Sequence, residues 1–423
     1  MKFVSLLSLA VIALLGALAN PASRAVHAQW GPHKAARYKI KDLGTLGGSF
    51  SQAGGVSNSG WVEGFSLVSG DASYHEFLWH DGVMTDLGTL GGPTSFSEYR
   101  PNNRGDAGGE SDTAVPDPNG EDFCAFGDFD ICLAFYWHDG VMTAQPNLGG
   151  VNGAGNGIND TGELAGTAEN AVIEPTCAGT GIPQIFQFKP VIWKAGRVHE
   201  LPTVAGDPVG IAYAINNNEQ AVGQTGTCGI GNLGSVSHAV LWQNGKAIDL
   251  GNLGGALNNI AEDINEKGEI VGFSDLPGDA TFHAYRWQKG VISDLGTLPG
   301  DIHSTGFAVN SKGQIVGRSA DANFNGVGYL WENGVMTDLN TLIPADSTLV
   351  VLNATAINDE GQIGGTAMTS SGELHAFLAT PRDDDEARGE VVAAREGFAR
   401  PAIRLTENQR KMLERRGRRF TSR

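Results

Sequence analysis

The stretch His75-Glu-Phe-Leu-Trp79-His-Asp-Gly82-Val-Met-Thr-Asp86-Leu-Gly-Thr-Leu-Gly-Gly92 decides how the whole chain reads. A strand-length run ends in Trp, an Asp-Gly dipeptide follows, and a second apolar run leads into a Gly-rich loop. Asp-Gly and Asn-Gly tolerate the positive φ of a two-residue turn, so the stretch is a β-hairpin. Its Trp-to-Gly marker returns at Trp137–Gly140, Trp193–Gly196, Trp242–Gly245, Trp287–Gly290 and Trp331–Gly334. A seventh copy, His375-Ala-Phe-Leu-Ala379, has Ala in place of Trp. Successive markers lie 58, 56, 49, 45, 44 and 48 residues apart, the period of arrays that use one small sheet per repeat.

Working outward, each unit holds four strand-length segments. Segment a ends in Asn (Ala154–Asn159, Ala212–Asn216, Ala261–Asn265, Ala354–Asn358), and b has the form Glu269-Ile-Val-Gly-Phe273. Segment c is the aromatic run, and d follows the hairpin. Between a and b the pattern is Asn-x-x-Gly, as at Asn102–Gly105, Asn159–Gly162 and Asn265–Gly268. The fourth unit reads Asn216-Asn-Asn-Glu219, so an Asn is expected in the left-handed position there. One sheet of this size buries too little surface alone and must stack on neighbours. Tyr38 to Gly48 is a d strand with no c before it, and His375–Ala379 is a c strand with no d after it. The first can complete the last sheet and hide both edges. The expected fold is all-β: a seven-bladed β-propeller of four-stranded antiparallel blades, its ring closed by the N-terminal strand.

Around this body (residues 38–381) the sequence divides further. Lys2 and the apolar run Phe3–Ala19, with small residues before Gln29, read as a signal peptide over residues 1–28. Residues 29–37 form a linker. Residues 382–423 form a charged, mostly disordered tail with 12 basic and 8 acidic side chains. Between them, residues 29–381 hold 15 basic and 39 acidic residues, a net of −24. Such a surface repels nucleic acid and anionic membranes, both polyanions. No later segment is long and apolar enough to span a bilayer. A secreted monomer, extracellular or periplasmic, is expected. In an exported chain the even set Cys124, Cys132, Cys177 and Cys228 implies disulfides. The pairing Cys124–Cys132 stays within one loop, and Cys177–Cys228 joins corresponding loops of neighbouring units.

The units, with His-Ala-Phe-Leu, Asp42-Leu-Gly-Thr-Leu-Gly-Gly48, Asp86-Leu-Gly-Thr-Leu-Gly-Gly92, Asp294-Leu-Gly-Thr-Leu-Pro-Gly300 and Ala-x-x-Ile-Asn-x-x-Gly, resemble the HAF-repeat family of bacterial extracellular proteins. The resemblance covers Lys41 to about Thr380. The second and third units depart, with Ala144-Gln-Pro-Asn147 in place of the Asp-Leu-Gly-Thr stretch and Leu133 and Lys189 at the usual His position. The resemblance implies export and a repeat-built fold, and no particular chemistry.

Alternating strand directions put the a–b and c–d turns on one rim and the b–c and d–a loops on the other. The turns are short and stereotyped. The b–c loops Asp112–Leu133, Glu169–Phe188 and Gly226–Ser237 are long, and all four Cys lie in them. Long loops on a rigid scaffold carry binding function. The first is oxygen-rich, and Asp112, Asp117, Asn119, Glu121 and Asp122 are its candidate Ca²⁺ ligands, without EF-hand spacing. No other cofactor is indicated. The recurring His75, His238, His283 and His375, and the recurring acids Asp42, Asp86, Glu200, Asp249, Asp294 and Asp338, occur once per unit and cannot converge on one ion. They are expected to be structural, the acids bonding turn amides. No nucleophile or phosphate-loop motif is present. The expected function is non-enzymatic binding of an extracellular protein or glycan through the long-loop rim. The alternatives are a hydrolase or lyase acting on extracellular polysaccharide with carboxylates at the central opening, or a passive envelope component.

Overall fold

The computed structural model describes residues 38–382, apart from 179, 181–183, 231–234 and 345, together with Gln409. The expected signal peptide, the linker (29–37) and all of the C-terminal segment after Arg382 except Gln409 lie outside the described residues. Strand β1 (Tyr38–Gly44) opens the fold. A first sheet follows: β2 (Gly47–Val56), β3 (Val62–Val68), β4 (Tyr74–His80) and β5 (Val83–Asp86). The second repeat gives β6 (Ser95–Phe96), β7 (Ala107–Pro116), β8 (Asp130–His138) and β9 (Val141–Ala144), and the third β10 (Gly149–Ile158), β11 (Leu164–Ile173), β12 (Phe186–Lys194) and β13 (Arg197–Glu200). The fourth is β14 (Val209–Ile215), β15 (Ala221–Gly226), β16 (Ser237–Gln243) and β17 (Lys246–Asp249). The fifth is β18 (Asn259–Ile264), β19 (Ile270–Asp275), β20 (Phe282–Gln288) and β21 (Val291–Asp294). The sixth is β22 (His303–Val309), β23 (Ile315–Ala320), β24 (Gly326–Glu332) and β25 (Val335–Asp338). The last repeat is β26 (Val350–Ile357), β27 (Ile363–Met368) and β28 (Leu374–Pro381).

Repeats two to six are separate four-stranded antiparallel sheets. The first and last repeats share one sheet, because Phe50 of β2 pairs in parallel with Leu374 of β28. Strand β1 lies antiparallel along β28, from Tyr38 opposite Pro381 to Gly44 opposite Ala376. Stacked four-stranded antiparallel sheets of this kind make the protein all-β with a propeller architecture. Burial grades across each sheet: β14 and β15 are buried throughout, whereas β17 is mostly exposed, so the fourth strand faces solvent.

The turns follow the sequence rules, with one correction. All six c–d turns have positive φ at both central residues, from Asp81 (49°) and Gly82 (91°) to Asn333 and Gly334, as a right-twisting hairpin requires. In the fourth repeat Glu219, not an Asn, takes the left-handed position of the a–b turn, with φ 57°. Asn216 instead anchors that turn, its Oδ1 accepting the N–H groups of Asn218 and Gln220.

The Gly inside each b strand has a structural cause. A Cβ on Gly272 would sit 1.9 Å from the Ile260 carbonyl, and one on Gly317 1.9 Å from that of Thr305. Opposite these glycines the inner strand bulges: Ala261 pairs with Gly272 and Asp263 with Val271, so the register skips Glu262. The register skips Gly54, Tyr213, Phe307 and Thr355 in the same way in their repeats. A bulge re-aims its extra residue out of the regular alternation.

Candidate functional site

One rim is stitched by a repeating asparagine. Each a–b turn Asn caps its own turn through Oδ1 and donates from Nδ2 to the equivalent carbonyl of the next repeat. Asn159 reaches Asn216 (3.2 Å), Asn216 reaches Asn265 (3.0 Å), Asn265 reaches Asn310 (2.9 Å) and Asn310 reaches Asn358 (3.0 Å). Asn102 donates to Asn159, and Asn358 crosses 301 residues to the Ser57 carbonyl at 2.9 Å. The following residues form a second circuit, in which Asn103, Asp160, Asn217 and Asp359 each donate a backbone N–H to an acidic or amide side chain of the next repeat. Ser59 to Asn103 joins the first repeat to the second. Inside these circuits lies a cavity of about 50 Å³ lined by residues of every repeat. A second cavity of about 20 Å³ continues below it, lined by Gly54, Tyr99, Arg100, Gly157, Ala214, Asp263, Ala308 and Thr355 among others.

The axial residues come from the bulges and from one departure. In the second repeat the inner strand is only two residues long, so Ser97–Pro101 leaves the ladder. Tyr99 thereby stacks on the bulged Tyr213 at 5.8 Å and lies 3.5 Å from Glu262 Oε2 through its hydroxyl, while Gln224 holds the Tyr213 hydroxyl at 2.6 Å. Sequence reasoning missed this group. The signal that marks it is a strand-interior Gly opposite each inner strand, which predicts a bulge.

The expected site residues lie on the other rim, and most serve the hairpins themselves. Both disulfides form as paired in the sequence reading, Cys124–Cys132 and Cys177–Cys228, and no described cysteine is free. Asp112 is not in a loop: the β7–β8 ladder runs on past it, with Asp112 opposite Cys132 and Pro116 opposite Asp130. Glu169 likewise sits within β11, opposite Phe188. Asp117 Oδ1 accepts the N–H groups of Asn119 and Glu121, and its Oδ2 accepts from Asn152 Nδ2 at 2.8 Å. Glu121 Oε1 accepts from Ile185 N–H, and Asp122 Oδ1 from Gly127 N–H. Three of the five candidate Ca²⁺ ligands, Asp117, Glu121 and Asp122, thus accept backbone N–H groups. Among the described residues, no group of three or more His, Cys, Asp or Glu is arranged to hold a metal ion.

The loop of the second repeat turns inward. Phe123 packs edge-on against Phe188 at 6.0 Å, and Phe126 reaches Phe96 at 6.5 Å. Phe123 belongs to the same buried cluster as Tyr99 and Tyr213. The most exposed apolar residues on this rim are carried by the hairpins: Val115 (55%), Phe129 (50%), Val172 (53%), Ile173 (67%) and Val236 (42%).

Buried carboxyls pin the same region. Glu121 and Glu169 lie side by side, and burial followed by the neighbouring acid charges pushes Glu169 up to about 8. Burial, then Asp128 beside it, pushes Asp112 up to about 9. Between the first two repeats, Glu63 and Glu76 are fully buried beside each other, and burial holds both well above the usual carboxyl range. Two facing carboxyls without a cation must share a proton. Other repeats place Ala165, Val222 or Val271 at the Glu63 position and Ala239, Ala284 or Ala376 at the Glu76 position.

The recurring His and acids are structural ties. His75 bonds Asp86, His283 bonds Asp294, and His375 bonds Asp42, all near 2.9 Å, while Gly88 N–H caps Asp86 at 2.8 Å. The last pair links residues 333 positions apart. His238 departs and bonds Asp207 instead. A wider groove of about 560 Å³ lies between β1 and Trp79–Asp81, where Lys41 Nζ sits 4.8 Å from the Trp79 ring.

No protein-family model matches the chain, and no curated protein matches it. Solved structures do, as propellers of low identity. The β-propeller domain of the Trilobed protease from Pyrococcus furiosus, described as having an open velcro topology, matches at 10% identity and TM-score 0.46, over 78% of this chain and 95% of that one. A Mycobacterium tuberculosis puromycin-hydrolyzing peptidase matches at 11% identity and TM-score 0.45, over 81% of this chain and 56% of that one. A mutant of the lectin AAL from Aleuria aurantia matches at 9% identity and TM-score 0.31, over 79% and 93%.

Proposed function

We propose that this chain is an exported, seven-bladed β-propeller of the HAF-repeat kind, sealed by β1 on the last sheet, that binds a protein partner on its long-hairpin rim. The β1–β28 ladder, the His375–Asp42 tie and the Asn358-to-Ser57 hydrogen bond, each joining the start of the repeat body to its last repeat, support closure. Two disulfides favour an oxidising compartment. Among the described residues, no helix is long and apolar enough to cross a membrane.

The observation that carries the binding reading is the set of exposed apolar side chains on hairpins two, three and four. Val115, Phe129, Val172, Ile173 and Val236 are displayed on supports held by both disulfides. Exposed apolar groups on a rigid support mark association surfaces. Four of these five side chains are aliphatic, which suits a protein partner, since sugars are gripped chiefly by aromatic faces and polar pairs. The axial cavities, about 50 and 20 Å³, hold a few water molecules and leave no room for a polysaccharide chain, which favours binding over polymer cleavage.

The test is an interaction screen of the purified chain against purified exported proteins, followed by three variants. Phe129→Asp and Ile173→Asp should each weaken the interaction about tenfold or more, as hot-spot losses do. Val291→Asp, equally exposed on the opposite rim, should leave it unchanged. Equal sensitivity to all three variants, or a partner insensitive to the first two, would overturn the reading.

A further inference from the structure

We infer that the mouth inside the asparagine circuits is a binding site for a small carboxylate bearing a hydrogen-bond donor on its α-carbon, gripped by Arg100. Aligned on the turn Asn, the Arg100 position is occupied elsewhere by Gly55, Gly157, Ala214, Asp263, Ala308 and Ala356. Five of these are small, and Asp263 is occupied in receiving the Val309 N–H. Arg100 is thus a cation set at a point where the architecture asks for almost no side chain.

The local backbone gives up structure to put it there. Ser97–Pro101 lies outside the ladder that the inner strands of the other repeats maintain. Gly55 permits the approach, since a Cβ on it would stand 2.0 Å from the Arg100 Cα. Tyr99 recovers part of the loss through its stack on Tyr213 and its approach to Glu262. Arg100 recovers none: it is half-buried, and among the described residues it makes no hydrogen bond or ion pair. The other body cations with no polar partner, such as Arg197, Lys246, Lys289 and Lys312, stand exposed in solvent. A sheltered guanidinium presents five donors in a planar fork that matches a carboxylate.

The walls of the cavity define the rest of the ligand. Asp160, Glu266 and Asp359 line it, each already holding backbone or amide donors of the circuits. Their field opposes net negative charge, a dianion most, and their remaining lone pairs suit a donor placed beside the ligand's carboxylate. At about 50 Å³ the cavity takes on the order of four water-sized positions, which limits the ligand to a few heavy atoms. An α-hydroxy acid and an α-amino acid share this chemistry.

Calorimetric titration of the purified full chain with lactate, alanine and propionate separates the possibilities. Lactate or alanine should bind, with propionate at least about tenfold weaker, and whichever binds tighter identifies the donor. Arg100→Ala should weaken binding about tenfold or more. Arg100→Lys, which keeps the charge and loses the fork, should fall between. If Arg100→Ala does not fold, Arg100→Lys and Arg100→Gln carry the comparison, with folding checked by circular dichroism. Failure of the unaltered chain to bind either acid, undiminished binding in the variants, or propionate binding as well as the others would overturn the proposal. The rim reading is untouched by that result, since Phe129 and Ile173 are tested separately.

Discussion

Repeats five and six set beside repeat two show what the frame demands and what it leaves open. In repeats five and six an inner strand with one bulge, a b strand with its Gly, an aromatic c strand and a four-residue d strand follow without interruption. Repeat two keeps the c–d hairpin with positive φ at Asp139 and Gly140, and its Asn102 still joins the stitch to Asn159. Inside that frame it loses most of the inner strand, extends its b–c hairpin, adds the Cys124–Cys132 bridge and packs Phe123 into the cluster of Tyr99 and Tyr213. Elements that touch a neighbour's turn are held constant. Segments that face the axis or solvent are where the repeats differ.

The strongest way to break this comparison is to remove what holds the departing hairpins. Cys177→Ser with Cys228→Ser opens a link spanning 51 residues and should cost about 4 kcal/mol, whereas opening the 8-residue Cys124–Cys132 link should cost about 2.5 kcal/mol. Denaturant melts of the two double variants check both the sizes and their order.

Next in size is a pH effect to which the departing repeats contribute. Groups that bind protons more tightly folded than unfolded make stability fall as pH rises. With Glu169 near 8 and Asp112 near 9, unfolding free energy should decline from about pH 4 to about pH 9, by roughly 2–4 kcal/mol allowing for shared protons. Glu169→Gln and Asp112→Asn should each flatten that slope. The Asp86 hydrogen bond raises His75 and works in the same direction. Against the upward push of burial, His75 and the Gly88 N–H hold Asp86 below its ordinary range, so its contribution is lost only as pH falls through the acid end. Chemical melts across pH, with and without the substitutions, provide the check.

Smaller effects sharpen the contrast. Asn265→Ala removes the cap of its own turn and the bond to Asn310, and should destabilise by about 2 kcal/mol in any repeat where it is copied. Glu63→Val with Glu76→Ala restores the residues usual in other repeats, replaces a buried acid pair with apolar packing, and should stabilise by about 1–2 kcal/mol. Destabilisation by this last pair would mean that the carboxyls are part of the frame.

The frame was legible in the sequence because it repeats. Asp81-Gly82 and Asn333-Gly334 announce their turns chemically, Tyr38–Gly44 is recognisable as a strand without its partner, and the Cys spacing matches adjacent loops. Glu219 was misread because a left-handed residue had been assigned by type, while Asn216 was needed to cap the turn. Asp112 was misplaced because strand pairing beyond the usual length leaves no mark in a polar sequence. Glu63, Glu76, Tyr99 and Arg100 passed unnoticed as single substitutions. Their meaning depends on neighbours brought together by bulges and by packing between repeats, which no local pattern encodes.

The pairing of the first strand with the last can be tested directly. Lys39 lies opposite Thr380 on the outer ladder. With Lys39→Cys and Thr380→Cys together, mild oxidation should give a disulfide within a single chain, found by peptide mapping of the monomer. A pair that stays reduced, or that links only one chain to another, would contradict closure by β1.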